Sequence, residues 1–286
     1  MTGADATPAG PGGPGEPGDP GDHAARSSDR GGPGGREHGG GLRITVLGCS
    51  GSYPGPGEAC SGYLVRSPGA TVVLDLGSGT LANLQRHVPV ADLDAVVLTH
   101  EHPDHWLDLP VLRNGMRYVL DLEGLATYGP AGVHALVTSI VDPLAPTLAW
   151  TSVDVDDVLE IGDQRLTFSR TDHPVPTLAV KVEAGGRSLV YSADTGPDWR
   201  PGDWLAGVDL LVCEATLPIS HEGRIQHLSG RQAGDLAHAA GVGRLLLTHL
   251  SPGLDPDVQR ADAATRYGGP VDVATTGTTY GVERPE

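Results

Sequence analysis

From Leu42 onward the chain reads as short apolar runs, each broken by glycine, proline or polar residues. Arg43-Ile44-Thr45-Val46-Leu47, Ser61 to Arg66 and Thr71 to Leu76 are dense in β-branched and apolar side chains and predict three strands. The same pattern predicts strands at Asp94 to Thr99, Leu148 to Val153, Arg165 to Arg170, Asp209 to Cys213 and Arg244 to Leu247. Val180 to Glu183 and Ser188 to Tyr191 predict a hairpin around Ala184-Gly185-Gly186. Helical spacing covers Thr80 to His87, Trp106 to Tyr118, Ala131 to Val141, Leu228 to Ala240 and Pro256 to Tyr267. In the second of these, Leu109, Leu112, Met116 and Val119 form the expected core face. Strands come in groups and alternate with helices, so the class is α/β or α+β with sheet at the centre.

Composition divides the chain. Gly and Pro fill about half of residues 1–41, with no apolar periodicity, which predicts a disordered tail. The tail has no basic start followed by an apolar core, so it does not read as a secretory signal. No apolar run is long enough to span a bilayer, so no membrane partner is expected. Residues 42–286 then form one domain large enough for a proper core. The net charge is −17, and the tail's six acidic and three basic residues leave −14 on the domain. Proteins that grip many phosphates carry a basic stripe, and none is visible, which disfavours a large nucleic-acid substrate. Cys49, Cys60 and Cys213 form no CxxC, so thiolate zinc is disfavoured. Their odd number and the missing export signal predict reduced thiols in the cytoplasm. Cys213 lies in an apolar run and reads as core.

The chemistry gathers at His100-Glu101-His102-Pro103-Asp104-His105, directly after the strand pattern Asp94 to Thr99. In an extended segment His100 and His102 face the same way. Pro103 turns the chain, and Asp104 and His105 swing back toward a second point. Two histidines for one ion, and a carboxylate with a histidine for another, suit a pair of metals. A solvated polar loop would explain one such side chain, not four. Three more ligand-type residues follow apolar runs at equivalent positions: His173, Asp194 and His249. Strand ends on one edge of a sheet bring distant residues together. Singly, each could merely cap a turn. Together, five histidines and two aspartates give each ion four ligands if Asp194 bridges both. Imidazole and carboxylate favour Zn²⁺, with Mn²⁺ or Fe²⁺ as alternatives. Asp75, before Gly77-Ser78-Gly79, is placed to bond the backbone of the metal loop.

His100-x-His102-x-Asp104-His105, followed by His173, Asp194 and His249, resembles the metallo-β-lactamase superfamily from Leu42 to the end. Several stretches resemble its ribonuclease Z-like branch: Leu47-Gly48-Cys49-Ser50-Gly51-Ser52, Tyr191-Ser192-Ala193-Asp194-Thr195-Gly196-Pro197 and Glu214-Ala215-Thr216. So do Leu247-Thr248-His249-Leu250-Ser251-Pro252 and His227-Leu228-Ser229. The resemblance implies a four-layer αβ/βα sandwich, a dinuclear metal site along one edge, and His227 as proton donor. It also implies a homodimer. Asp104, as a ligand, is placed to accept the proton of the attacking water, and Glu214 to orient His227 or simply to end its strand. The branch's tRNA-gripping arm has no room here, because 20 residues separate His173 from Asp194. The closer resemblance is to armless actinobacterial members similar to cyclic-nucleotide phosphodiesterases.

The expected function is therefore metal-dependent hydrolysis of a small phosphodiester, such as cyclic AMP. Three alternatives stay open: a tRNA 3′-end endonuclease, a thioester or lactam hydrolase, and a non-catalytic nucleotide-binding scaffold. Of the remaining histidines, His23 and His38 fall in the tail, and His87, His134 and His238 read as surface or boundary residues. His221 lies in the loop before His227 with no assigned role.

Overall fold

The computed structural model describes Gly3 and residues 40–283. The expected tail lies almost wholly outside the described residues. The first six strands are β1 (Arg43–Gly48), β2 (Gly62–Arg66), β3 (Thr71–Leu76), β4 (Ala95–Val97), β5 (Leu125–Gly129) and β6 (Leu148–Ser152). They pair in chain order, and the last strand, β14 (Thr279–Gly281), closes the sheet against β1. The second sheet runs in reverse from β13 (Val271–Val273) through β12 (Arg244–Thr248), β11 (Leu210–Glu214), β10 (Arg187–Tyr191), β9 (Leu178–Ala184) and β8 (Gln164–Arg170) to β7 (Val158–Ile161).

Alternating side chains sort into three apolar layers. Val72 and Leu74 of β3 face inward, with Phe168, Val180, Leu189, Val212 and Leu246 of the second sheet. Val73, between them, faces outward onto Leu84, Leu109, Leu112, Val133 and Val137. Those residues belong to α1 (Thr80–Leu84), α2 (Asp108–Gly115) and α3 (Ala131–Ile140). On the other side, Val190, Leu211, Cys213 and Leu245 meet Ala233, Ala237, Ala263 and Tyr267. These come from α4 (Gly230–Ala240) and α5 (Pro256–Tyr267). The result is helix, sheet, sheet, helix: the expected four-layer αβ/βα sandwich, with the residues of β3 buried throughout.

Strand direction decides where polar residues meet. β1 and β3 are each antiparallel to β2, and β4 runs parallel to β3. In the second sheet β8 and β10 are both antiparallel to β9, while β10, β11 and β12 are parallel. The carboxyl ends of β1, β3 and β4 in the first sheet, and of β8, β10, β11 and β12 in the second, therefore gather along one edge of each sheet, opposite those of β2 and β9.

Several elements differ from expectation. The helix read over Trp106 to Tyr118 is α2 followed by a π-helical turn at Met116–Leu120. The wider turn, bonding i to i+5, takes Val119 off the core face, and it is 80% exposed. Leu109, Leu112 and Met116 remain buried. The strand expected over Asp94 to Thr99 is confined to Ala95–Val97, and α1 ends at Leu84. The hairpin is as expected, its turn made by Gly185 and Gly186 at φ 58° and 73°, which glycine adopts without a Cβ penalty. Among the described residues no helix is long and apolar enough to cross a membrane.

Candidate metal centre

Every expected ligand sits on that edge. His100, His102, Asp104 and His105 follow β4, with Asp104 and His105 in a 3₁₀ turn opened by Pro103. His173 follows β8, Asp194 follows β10 and His249 follows β12. Four of the five non-glycine residues with positive φ among the described residues lie here: Ser52, Asp75, Ala193 and His249. Each costs roughly 1–3 kcal/mol and persists only where its surroundings impose it. Ala193 and His249 turn the chain sharply at the ends of β10 and β12. Glycine permits the close packing of these loops. A Cβ on Gly51 would lie 2.6 Å from the His249 carbonyl oxygen, and one on Gly77 would collide with the Asp104 carbonyl.

The ligand atoms form two groups. His100 Nε2 lies 3.2 Å from His102 Nδ1, which lies 3.0 Å from His173 Nε2. Asp194 Oδ2 closes this group at 3.4 Å from His100 and 3.8 Å from His173. In the second group Asp104 Oδ2 is 3.2 Å from His249 Nε2 and 3.6 Å from His105 Nε2. Those two imidazole nitrogens are 3.3 Å apart. Asp194 Oδ1 joins them at 3.3 and 3.4 Å. Ligand bonds of about 2.0–2.1 Å in a tetrahedron put neighbouring donor atoms roughly 3.3 Å apart. Both groups have the size of a tetrahedral metal site, and one carboxylate serves the two.

Hydrogen bonds on the far side of the rings fix which nitrogen faces inward. His105 Nδ1 donates to Asp75 Oδ2 at 2.7 Å, and His227 Nδ1 to Glu214 Oε1 at 2.9 Å. His173 Nδ1 donates to the Gln226 carbonyl at 3.2 Å. His100 Nδ1 and His249 Nδ1 meet the hydroxyls of Thr99 and Thr216 at 3.0 and 2.8 Å. All five therefore turn Nε2 to the centre; His102 alone turns Nδ1 inward. Where the rings are neutral, bare nitrogens and carboxylate oxygens face one another, acceptor to acceptor, which is repulsive unless a cation lies between them. Asp194 Oδ1 is buried and accepts no hydrogen bond. This donor set fits divalent cations.

Charge follows the same logic. Burial and the neighbouring His105 push His100 down to about 4, so it stands as a neutral imidazole. Burial works against a charged His105, but Asp194 and Asp75 hold it well above its ordinary range. Burial also opposes charge on Asp104, yet His249 and His105 hold that carboxyl well below its ordinary range. A metal ion would replace the His105 proton in balancing the carboxylates.

The sequence reading gave Asp75 too small a part. It bonds the Thr99 amide as expected, at 2.9 Å through Oδ1. Its Oδ2 also accepts from His105, from the Thr99 hydroxyl at 2.9 Å and from the Tyr191 hydroxyl at 2.9 Å. Tyr191 lies on β10, so this last bond ties the two sheets together beneath the ligands. Tyr63 on β2 makes the reciprocal bridge, to Thr248 on β12, at 2.6 Å. Tyr191→Phe should destabilise the fold by about 1.5–3 kcal/mol, the value of a hydrogen bond to a charged group. Urea unfolding measures this; an unchanged midpoint would show that the bridge contributes nothing.

His227 stacks on His249, with ring centroids 5.7 Å apart and planes 11° apart. Glu214 is fully buried and accepts the Thr195 amide at 2.6 Å and the Leu228 amide at 3.0 Å, besides His227. Ser52 donates its amide to Asp104 Oδ2 at 2.8 Å. His221 and His238 are exposed, and His134 packs on Trp150 away from the ligands. A cavity of about 640 Å³ between residues 196–202 and α4 includes none of the ligand residues in its lining.

These features define a metallo-hydrolase fold, and residues 40–250 match the β-lactamase superfamily domain. The chain belongs to that family, whose members are dinuclear metal-dependent hydrolases. It is 33% identical to the probable metallo-hydrolase YhfI of Bacillus subtilis, over 82% of this chain and 98% of that one. The crystal structure of YhfI superposes with a TM-score of 0.77, covering 84% of this chain and 98% of that one. An uncharacterised protein of Mycobacterium tuberculosis is 36% identical over 85% of this chain and 93% of its own. A ribonuclease Z of Methanopyrus kandleri is 29% identical over 78% and 91%.

Proposed function

We propose that the chain is a phosphodiesterase acting on a small phosphodiester, such as a cyclic nucleotide, with two divalent ions, zinc favoured. His100, His102, His173 and Asp194 would hold one ion, and Asp104, His105, His249 and Asp194 the other. Bound there, the ions would supply Lewis acidity and lower the pKa of water for an in-line displacement. The observation that carries the reading is the placement of His227, bonded to Glu214 and stacked on His249 at the same edge. Asp104 would accept the proton of the attacking water. His227 would give a proton to the leaving alkoxide. Small substrates are favoured because the 20 residues between His173 and Asp194 hold only β9, β10 and their connections, leaving no arm for RNA.

The purified protein should hydrolyse cyclic AMP or bis-p-nitrophenyl phosphate with Zn²⁺ or Mn²⁺, and His102→Ala should abolish this. Full activity in that variant, with metal content unchanged, would sink the reading. The relationship to a ribonuclease Z supports a second reading, cleavage at the 3′ end of precursor tRNA, and incubation with such a precursor tests it.

A further inference from the structure

We infer that Thr99 and Thr216 are matched positioning residues, each linking a buried carboxylate to one metal-facing imidazole. The inference rests on the two-metal reading. In the first sheet Asp75 holds His105 directly and His100 through Thr99. In the second, Glu214 holds His227 directly and His249 through Thr216, whose hydroxyl lies 2.7 Å from Glu214 Oε2. One carboxylate at a strand end thus fixes two rings in each sheet, one of them at arm's length.

Counting protons makes the threonines decisive. A hydroxyl has one hydrogen and two lone pairs. Both hydroxyls are buried, with Thr99 0% and Thr216 2% exposed, so water does not substitute. If the Thr99 proton went to His100 Nδ1, an oxygen lone pair would face Asp75 Oδ2 at 2.9 Å, which is repulsive. The proton therefore goes to the carboxylate, and the hydroxyl must accept from Nδ1–H. The same holds at Thr216, where the other acceptor in reach is the His249 carbonyl at 3.0 Å. Either way Thr216 accepts from His249 Nδ1–H. Each threonine thereby leaves Nε2 bare and aimed at a metal position. Orienting contacts of this kind are worth about 10–100-fold in metal affinity.

The two rings belong to different ligand groups, which makes the effect separable. Thr99→Val keeps the shape and deletes the hydroxyl, and should weaken the ion of the His100, His102, His173 group by about 10–100-fold. Thr216→Val should weaken the ion of the Asp104, His105, His249 group by the same factor. Each variant, titrated with zinc against a chromophoric chelator, should then bind one ion tightly and one weakly. Thr99→Ser and Thr216→Ser should stay close to wild type. Nitrogen-15 spectra of the chelator-treated protein should place the proton on Nδ1 of His100 and His249, a preference the valine variants lose. Valine variants that bind both ions as wild type does, or serine variants as weak as valine, would overturn the relay. Wild-type protein that takes up no zinc would instead defeat the metal reading, and the tautomer spectra would still decide the relay.

Discussion

Asp194→Ala is expected to abolish tight binding of both metal ions. On the proposed function, it should lower phosphodiester turnover by well over the roughly 100-fold that loss of an orienting contact costs. Each of the other six residues lies in one of the two groups described, whereas Asp194 Oδ2 faces His100 and His173 and Oδ1 faces His105 and His249. The carboxylate is 2% exposed, so water has little room to take its place. A stability measurement separates this from simple damage to the fold. Zinc at a hundredfold excess over its Kd should stabilise the wild-type protein by about 2.7 kcal/mol for each site filled, while the variant gains almost nothing. The variant's three-layer core is untouched, so its metal-free form should still unfold cooperatively. A variant that retains two zinc ions and wild-type turnover would refute the shared-ligand role.

What the sequence revealed and what it hid divide along the range of the interactions. Val72-Val73-Leu74 announces a strand buried on both faces, because local composition suffices to mark it. His173, Asp194 and His249 were legible because each directly follows an apolar run, and strand direction then carries it to the shared edge. β5 escaped because Ala126, Thr127 and Tyr128 carry a weak apolar signal and Gly129-Pro130 reads as a turn. β13 and β14 span three residues each, too few for any period to show. Val119 continued the helical spacing correctly, but a π turn is a change of backbone bonding that side-chain spacing does not encode. The residues behind the ligands were hardest. Tyr191 reaches Asp75 across 116 positions and Thr216 reaches His249 across 33. Both lie in stretches that carry the family resemblance, but their roles emerge only when the sheets are assembled. The left-handed turn at Ala193 is equally invisible, since alanine does not advertise positive φ.

His227→Ala should lower kcat by about 10²–10⁴-fold on a diester whose leaving group is an alkoxide, the usual range for a positioned acid. On bis-p-nitrophenyl phosphate the loss should be small, because nitrophenolate departs without a proton. That contrast distinguishes a proton donor from a residue that merely packs on His249. The pH profile adds a second criterion. Burial depresses the His227 pKa, but Glu214 outweighs burial and carries it up to about 9. The ring is therefore cationic at neutral pH and able to donate. It loses that ability as pH rises through its pKa, so the alkoxide reaction falls on the alkaline side. Divalent ions in the adjoining groups would disfavour a second positive charge, drawing that limb below pH 9. Glu214→Gln removes the opposing charge and keeps one acceptor oxygen, for either the Thr195 amide at Oε1 or the Leu228 amide at Oε2, and should move the limb further down. Equal losses on both substrates, or a limb that Glu214→Gln leaves in place, would remove His227 from the role of acid.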